Sequence, residues 1–303
     1  MKLQIYYLKI KAFFETILSK LVYNFHKHIK GVKSVKNLKY KERSNIYNKL
    51  DIHYKEQDFL DGKKSPIIVY FHGGGWSCYS KYIFTTLTRR LADMGYVVFN
   101  CNYSLAPKYK LNDIMQDAVK ALKYATSVAK KYGGDPNKII LAGDSAGAHI
   151  CSMLSAFSND NTHAMGNFKE KLKALVLFYG VFNLKTALDS KFPKIRTYIS
   201  ASIHGKLNTE DGQKQLDKYS PVNYDISSFP PCFLASGEVD KLHKSQSLEF
   251  SNKLKKSGIM TQTVFFDDKE YRAMHAFMTI DGISTNIKVL EELKKFLGDV
   301  VNN

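Results

Sequence analysis

From residue 65 onward the chain alternates between short β-rich apolar runs and longer stretches with helical spacing. This alternation constrains the fold more than any other feature. SPIIVYFH (65–72) is apolar and β-branched with Pro66 at its start, so it reads as a buried strand. YVVFNCNYS (96–104), NKIILAGDS (137–145), KALVLFYG (173–180), PPCFLASG (230–237) and QTVFFDD (262–268) read the same way. Helical spacing fills the intervals at 81–94, 111–133, 145–158, 244–258 and 286–301. The 111–133 stretch places Ile114, Ala118, Val119, Leu122 and Ala125 on one face and stops at Gly133-Gly134. Strands separated by helices require right-handed crossovers, so the expected class is α/β, with a mostly parallel central sheet and helices on both faces. Residues 40–60, including NKLDIHYKEQDF, predict an antiparallel edge. Residues 181–229, with Pro193, Gly205, Gly212 and Pro221, break the rhythm and predict a helical cap inserted over the strand ends. One domain over 31–303 carrying this cap is the economical description, since α/β folds reach this length without dividing.

Residues 1–30 form a separate segment. Leu3, Tyr6, Tyr7, Ile10, Phe13, Phe14, Ile17, Leu21 and Phe25 recur at amphipathic-helix spacing, with Lys2, Lys9, Lys11, Lys20 and Lys27 largely off that stripe. Lysines and Glu15 interrupt the apolar runs, and no small-residue cleavage site follows, so a secretory signal is not expected. Two readings stay open: a helix covering its own globule, or peripheral contact with a membrane surface.

The net charge of +17, from 45 basic and 28 acidic residues, raises the question of nucleic acid. The basic residues are overwhelmingly lysine; Arg43, Arg89, Arg90, Arg196 and Arg272 are the only arginines. Phosphate and guanine readers favour the bidentate arginine fork, so a dedicated nucleic-acid partner is not expected. Cys78, Cys101, Cys151 and Cys232 show no zinc spacing, and Cys101 and Cys151 lie in apolar stretches. They read as buried thiols and favour a reducing, cytoplasmic setting, with membrane association open through residues 1–30. No uncharged apolar run approaches the ~18 residues that cross a bilayer.

The chemistry concentrates at two glycine-rich turns. Gly143-Asp144-Ser145-Ala146-Gly147 is a G-x-S-x-G pattern placed between an apolar strand and a helix. A tight strand-to-helix bend projects the Ser145 hydroxyl beyond the sheet, at the positive end of the helix. His72-Gly73-Gly74-Gly75-Trp76 directly follows the first parallel strand. Consecutive glycines can turn successive N–H groups into one cavity, as an oxyanion requires. Gly74 and Gly75, with Ala146 after the nucleophile, are the expected donors. His72 precedes these donors and reads as a loop organiser. Asp144 reads as a structural loop anchor and Asp117 as a helix-face hydrogen-bonder.

HGGGW, then YSLAPKY (103–109), then GDSAG resembles the hormone-sensitive-lipase-like branch of the α/β-hydrolase superfamily, the acetyl-esterase and carboxylesterase group. The resemblance runs in order over roughly residues 45–300. It implies an α/β-hydrolase fold, a Ser…Asp…His triad, an oxyanion hole at the HGGG loop and a cap built partly from the N-terminus. The acid belongs in a G-x-x-D-x-L context, which Asp240 matches, with Glu238 as the competing carboxylate. The base belongs in the loop after the last strand, where His275 stands in an H-x-F ending; His243 and His149 fit less well.

The resulting expectation is a serine hydrolase cleaving short- to medium-chain carboxylic esters through an acyl-enzyme, with Ser145, Asp240 and His275 as triad. It calls for no metal and no organic cofactor, and its partner is a small-molecule ester. An arylformamidase-like amidase shares this apparatus and is the nearest alternative. A non-catalytic binding protein on a hydrolase scaffold is a further one, disfavoured because all three triad residues are retained. Natural substrate and oligomeric state are left open.

Overall fold

In the computed structural model, which describes residues 28–42, 47–159 and 172–302, the chain enters through β1 (Val32–Lys39) and β2 (Lys49–Lys55). A short α1 (Glu56–Leu60) leads to β3 (Ser65–Phe71), α2 (Thr85–Asp93), β4 (Val97–Cys101) and α3 (Leu111–Val128). β5 (Gly134–Asp144), α4 (Ala146–Asn159) and β6 (Leu172–Phe178) follow. Three short helices then interrupt the alternation: α5 (Leu184–Asp189), α6 (Ile195–Ser202) and α7 (Glu210–Lys218). β7 (Cys232–Gly237), α8 (Glu249–Lys256), β8 (Thr261–Phe266) and α9 (Ser284–Asn302) complete the fold.

The eight strands form one sheet in the order β1-β2-β4-β3-β5-β6-β7-β8. β1 and β2 pair antiparallel, as do β2 and β4, and every pairing from β4 through β8 is parallel. The antiparallel edge expected over 40–60 is therefore present, but it has a second strand, β1. Four of its eight residues are exposed and only Val32 is buried, and an edge strand that buries little carries little apolar signal.

Alternation along each strand divides the core. Ile67, Val69 and Phe71 of β3 face a cluster with Leu122 of α3, Leu154 of α4 and Leu254 of α8. Ile68 and Tyr70 face the opposite cluster, with Leu91 of α2 and Leu293 and Phe296 of α9. Both faces are buried, which explains why the strands read as near-continuous apolar runs.

The strand order reverses between β3 and β5, where β4 lies to one side and β6 to the other. Crossovers on opposite faces leave a crevice outside the carboxyl ends at such a point. The turn after β3 is HGGGW and the turn after β5 is GDSAG, so the topology brings the two glycine-rich turns side by side.

Helix ends in the 181–229 stretch are closed locally. Asn183 Oδ1 accepts from the backbone of Lys185 and Thr186 at the start of α5, and Thr209 Oγ1 accepts from Gly212 N at the start of α7. Gln246 Oε1 accepts from Phe182 N at 2.8 Å and Asn183 N at 2.9 Å, tying the start of this stretch to the segment before α8. That segment, His243–Leu248, is a π-helical turn, where the sequence predicts ordinary α-helix from residue 244. The wider turn holds His243 against Ser236 and Gln246 against residues 182–183, two side-chain anchors that periodicity does not register.

The four cysteines are free and buried. Among the described residues no helix is long and apolar enough to cross a membrane. The amphipathic helix expected over 1–30 falls almost wholly on residues 1–27, outside the described residues.

Candidate active site

The parallel register aligns the strand ends. Phe71 lies opposite Gly143, Asp144 opposite Phe178, Phe178 opposite Ala235, and Gly237 opposite Phe266. The loops that follow these residues therefore leave the sheet along one edge.

Ser145 bridges β5 and α4 with φ of 49°. A non-glycine residue in the left-handed region is strained and persists only where its surroundings fix it. Here Ser145 N donates to Phe178 O at 2.9 Å and Ser145 O accepts from His149 N at 3.1 Å. The bend also presses α4 onto β3: a Cβ on Gly147 would lie 1.9 Å from Phe71 O. Only glycine permits that approach.

In the HGGGW loop Gly74 has φ of 110° and Gly75 φ of 56°. Gly74 O accepts from Ser77 N and Cys78 N, which closes the loop. Gly74, Gly75 and Ala146 line the same cleft as Ser145 and His275. Among the described residues none of these three amides donates to a protein acceptor. Unpaired N–H groups in one cleft, one of them at a helix N-terminus, can receive an anionic oxygen.

Asp240 stands in the turn after β7, where its own N donates to Gly237 O and its Oδ1 accepts from Leu242 N at 3.0 Å. Its Oδ2 lies 2.7 Å from His275 Nδ1, and His275 Nε2 lies 2.9 Å from Ser145 Oγ. An ionised carboxylate only accepts, so Nδ1 carries the proton and Nε2 presents its lone pair to the Ser145 hydroxyl. The Asp240 side chain is 1% exposed and that of His275 19%, so the pair is shielded from water while the imidazole still reaches the cleft. Glu238, the competing carboxylate, is exposed.

The remaining polar candidates sit elsewhere. His149 donates from Nε2 to Tyr219 O at 2.7 Å and accepts at Nδ1 from Trp76 Nε1 at 3.2 Å. Both nitrogens are used, and burial pulls its pKa down to about 4. His72 donates to Gly73 O, stacks on Tyr103 at 4.4 Å, and is likewise held at about 4 by burial. His243 pairs with Ser236 Oγ at 2.6 Å. Asp117 joins Asn48 and Ser104 N beneath the YSLAPKY segment.

Asp144 joins two turns. Its Oδ1 accepts from Tyr70 OH at 2.9 Å and from Gly73 N at 2.8 Å, so one oxygen ties the Ser145 turn to the glycine loop. Burial raises its pKa to about 7, against the hydrogen bonds from Tyr70 and Gly73.

Sequence reasoning missed the aromatic surround. Tyr179 and Phe192 place their rings 5.0 and 4.5 Å from the His275 ring, and Tyr198 of α6 faces Gly75 across the cleft. Phe192 and Tyr198 lie in the irregular 181–229 stretch, where no motif marks them.

A family model described as BD-FAE matches residues 50–254, more than half of the chain. The chain belongs to the BD-FAE family. This BD-FAE chain is 28% identical over 258 residues to esterase LipQ of Mycobacterium tuberculosis, covering 83% of this chain and 59% of that protein. It is 29% identical over 246 residues to a probable isoprenylcysteine alpha-carbonyl methylesterase ICME of Oryza sativa subsp. japonica, covering 76% and 57%. It thus spans less than two thirds of the curated relatives it matches. Esterase B from Lactobacillus rhamnosis superposes with a TM-score of 0.79 at 18% identity, over 98% of this chain and 95% of that one. The fold of the BD-FAE chain is the α/β-hydrolase fold, as the resemblance implied.

Proposed function

We propose that this chain is a serine hydrolase that cleaves short- to medium-chain carboxylic esters through an acyl-enzyme. The observation that carries the reading is the continuous path from Asp240 through His275 to Ser145, ending beside three unpaired amides. His275 Nε2 takes the Ser145 proton as Oγ attacks the ester carbonyl. The carbonyl oxygen, now negative, is received by the N–H groups of Gly74, Gly75 and Ala146. The imidazolium, steadied by Asp240, gives its proton to the departing alcohol. Water then enters, loses a proton to the same imidazole, and releases the acid and the free Ser145 hydroxyl.

The cleft supports the chain-length part of the reading. It encloses about 380 Å³ and is walled by Val181, Phe192, Ile195, Tyr198 and Leu242. Apolar walls favour an acyl chain over a charged one, and the limited volume favours a short one.

A panel of p-nitrophenyl esters tests the proposal. Acetate to hexanoate esters are expected to turn over well and dodecanoate poorly. A preference for dodecanoate would contradict the chain-length reading. An N-formyl arylamine in the same panel, cleaved faster than any ester, would move the reaction class to an amidase.

A further inference from the structure

Helix α6 borders two cavities. Ile195 and Tyr198 line the catalytic cleft, whereas Arg196, Thr197 and Ser200 line a second cavity of about 500 Å³ on the other side. Lys110, His204 and Lys206 complete the basic lining of that second cavity. Among the described residues no aspartate or glutamate lines it.

Two nearby carboxylates are engaged elsewhere. Asp113 accepts from Lys110 N at 2.9 Å, as part of the cap of α3. Glu210 pairs with Lys214 at 2.7 Å. Asp211 approaches the backbone of Gly205 from α7 but does not line the cavity. Lys110 Nζ donates to Ala201 O at 2.6 Å, which holds this ammonium at the C-terminal turn of α6 and beside the cavity. Burial lowers the Lys110 pKa from its ordinary value, an effect that a bound anion would oppose.

The cations and two hydroxyls on this concave surface, which Ala201, Ile203 and Leu207 also line, are complementary to an oxyanion. Arg196 offers a planar fork suited to oxyanions, Lys110 and Lys206 offer point charges, and Thr197 and Ser200 offer hydroxyl donors. We propose that this cavity binds a small multiply charged oxyanion, of the phosphate or polycarboxylate type, at a site separate from the ester cleft. The two sites share α6, so occupancy on one face meets the helix that walls the other.

Isothermal titration of the full chain tests this, with inorganic phosphate and citrate titrated separately at constant ionic strength held with sodium chloride. The expected result is one saturable site for at least one of the two anions, and the stronger of them identifies the class. Arg196→Gln with Lys206→Gln, both exposed, is expected to weaken that binding at least tenfold. Lys130→Gln with Lys131→Gln removes the same charge at the far end of α3. That helix spans 18 residues, about 27 Å at its standard rise, well beyond the ~8 Å screening length at physiological salt. This control variant is expected to bind as the unmodified chain does. No saturable binding to the unmodified chain, or equal weakening in both variants, would overturn the proposal. The titration reads binding alone, so its outcome is independent of ester turnover.

Discussion

Gly75 and Tyr198 meet across the cleft so closely that a Cβ on Gly75 would lie 2.6 Å from Cγ of Tyr198. The glycine loop after β3 and helix α6 of the 181–229 stretch therefore form one wall. The contact permits no side chain at position 75, and φ of 56° there independently disfavours one. Gly75→Ala is expected to displace both the loop amide and Tyr198. Loss of one oxyanion donor lowers turnover by about 10²–10³. Steady-state kinetics on a short-chain ester should show the loss chiefly in kcat; an unchanged kcat would remove this amide from the reaction.

Asp240 and Glu238 make opposite predictions. Asp240 is buried against His275, and Glu238 is exposed. Asp240→Asn keeps the shape but favours the wrong imidazole tautomer, and a change of this kind costs about 10⁴ in turnover. Glu238→Gln is expected to stay within about twofold of the unmodified chain, on the ground that exposed polar groups away from the chemistry have small effects. Equal losses in the two variants would contradict the assignment of Asp240.

Asp144 gives stability a pH dependence of predictable sign. Its carboxyl is raised from 3.8 to about 7 in the folded chain, so the folded state binds this proton more readily than the unfolded state. The contribution favours folding most fully below its ordinary value and is lost as the pH rises through about 7. His72 and His149, lowered to about 4, act in the opposite sense, favouring folding above their ordinary 6.5 and losing that contribution as the pH falls toward 4. Asp144→Asn keeps an acceptor for Tyr70 and Gly73 but cannot titrate. In urea unfolding, the stability of the unmodified chain relative to Asp144→Asn is expected to be greater at pH 5 than at pH 8. The histidines are common to both proteins and cancel. A pH-independent difference would contradict the raised carboxyl.

Phe192 touches the His275 ring from outside the sheet scaffold. Truncation at this position removes packing that holds the imidazole over Ser145, without removing a hydrogen bond. Phe192→Ala is expected to lower kcat by roughly tenfold, the equivalent of about 1.4 kcal/mol, with little change in urea midpoint because the ring is only half-buried. Unchanged kcat would show that the imidazole keeps its place without this ring.

Much of the fold was legible in the sequence because the parallel strands are buried on both faces and leave unbroken apolar runs. Ile67 to Phe71 and Ile139 to Ala142 are examples. Gly143 to Gly147 and His72 to Trp76 were legible because close backbone approach demands glycine in a fixed order. β1 was not, since an edge strand with exposed lysines carries no such pattern. Phe192, Tyr198 and the basic cavity behind α6 were not, because they come together through short helices whose packing no local spacing encodes. That Asp144 anchors a loop was legible, but its partners were not: Tyr70 and Gly73 lie more than seventy residues earlier in the chain.

The central claim is that Ser145 is a nucleophile primed by His275. Labelling with a fluorophosphonate followed by peptide mapping tests it most directly. The account predicts one adduct, on the peptide containing Ser145, and loss of labelling in His275→Ala protein that retains its fold. An adduct on another residue, or full ester turnover with Ser145 unlabelled, would contradict it.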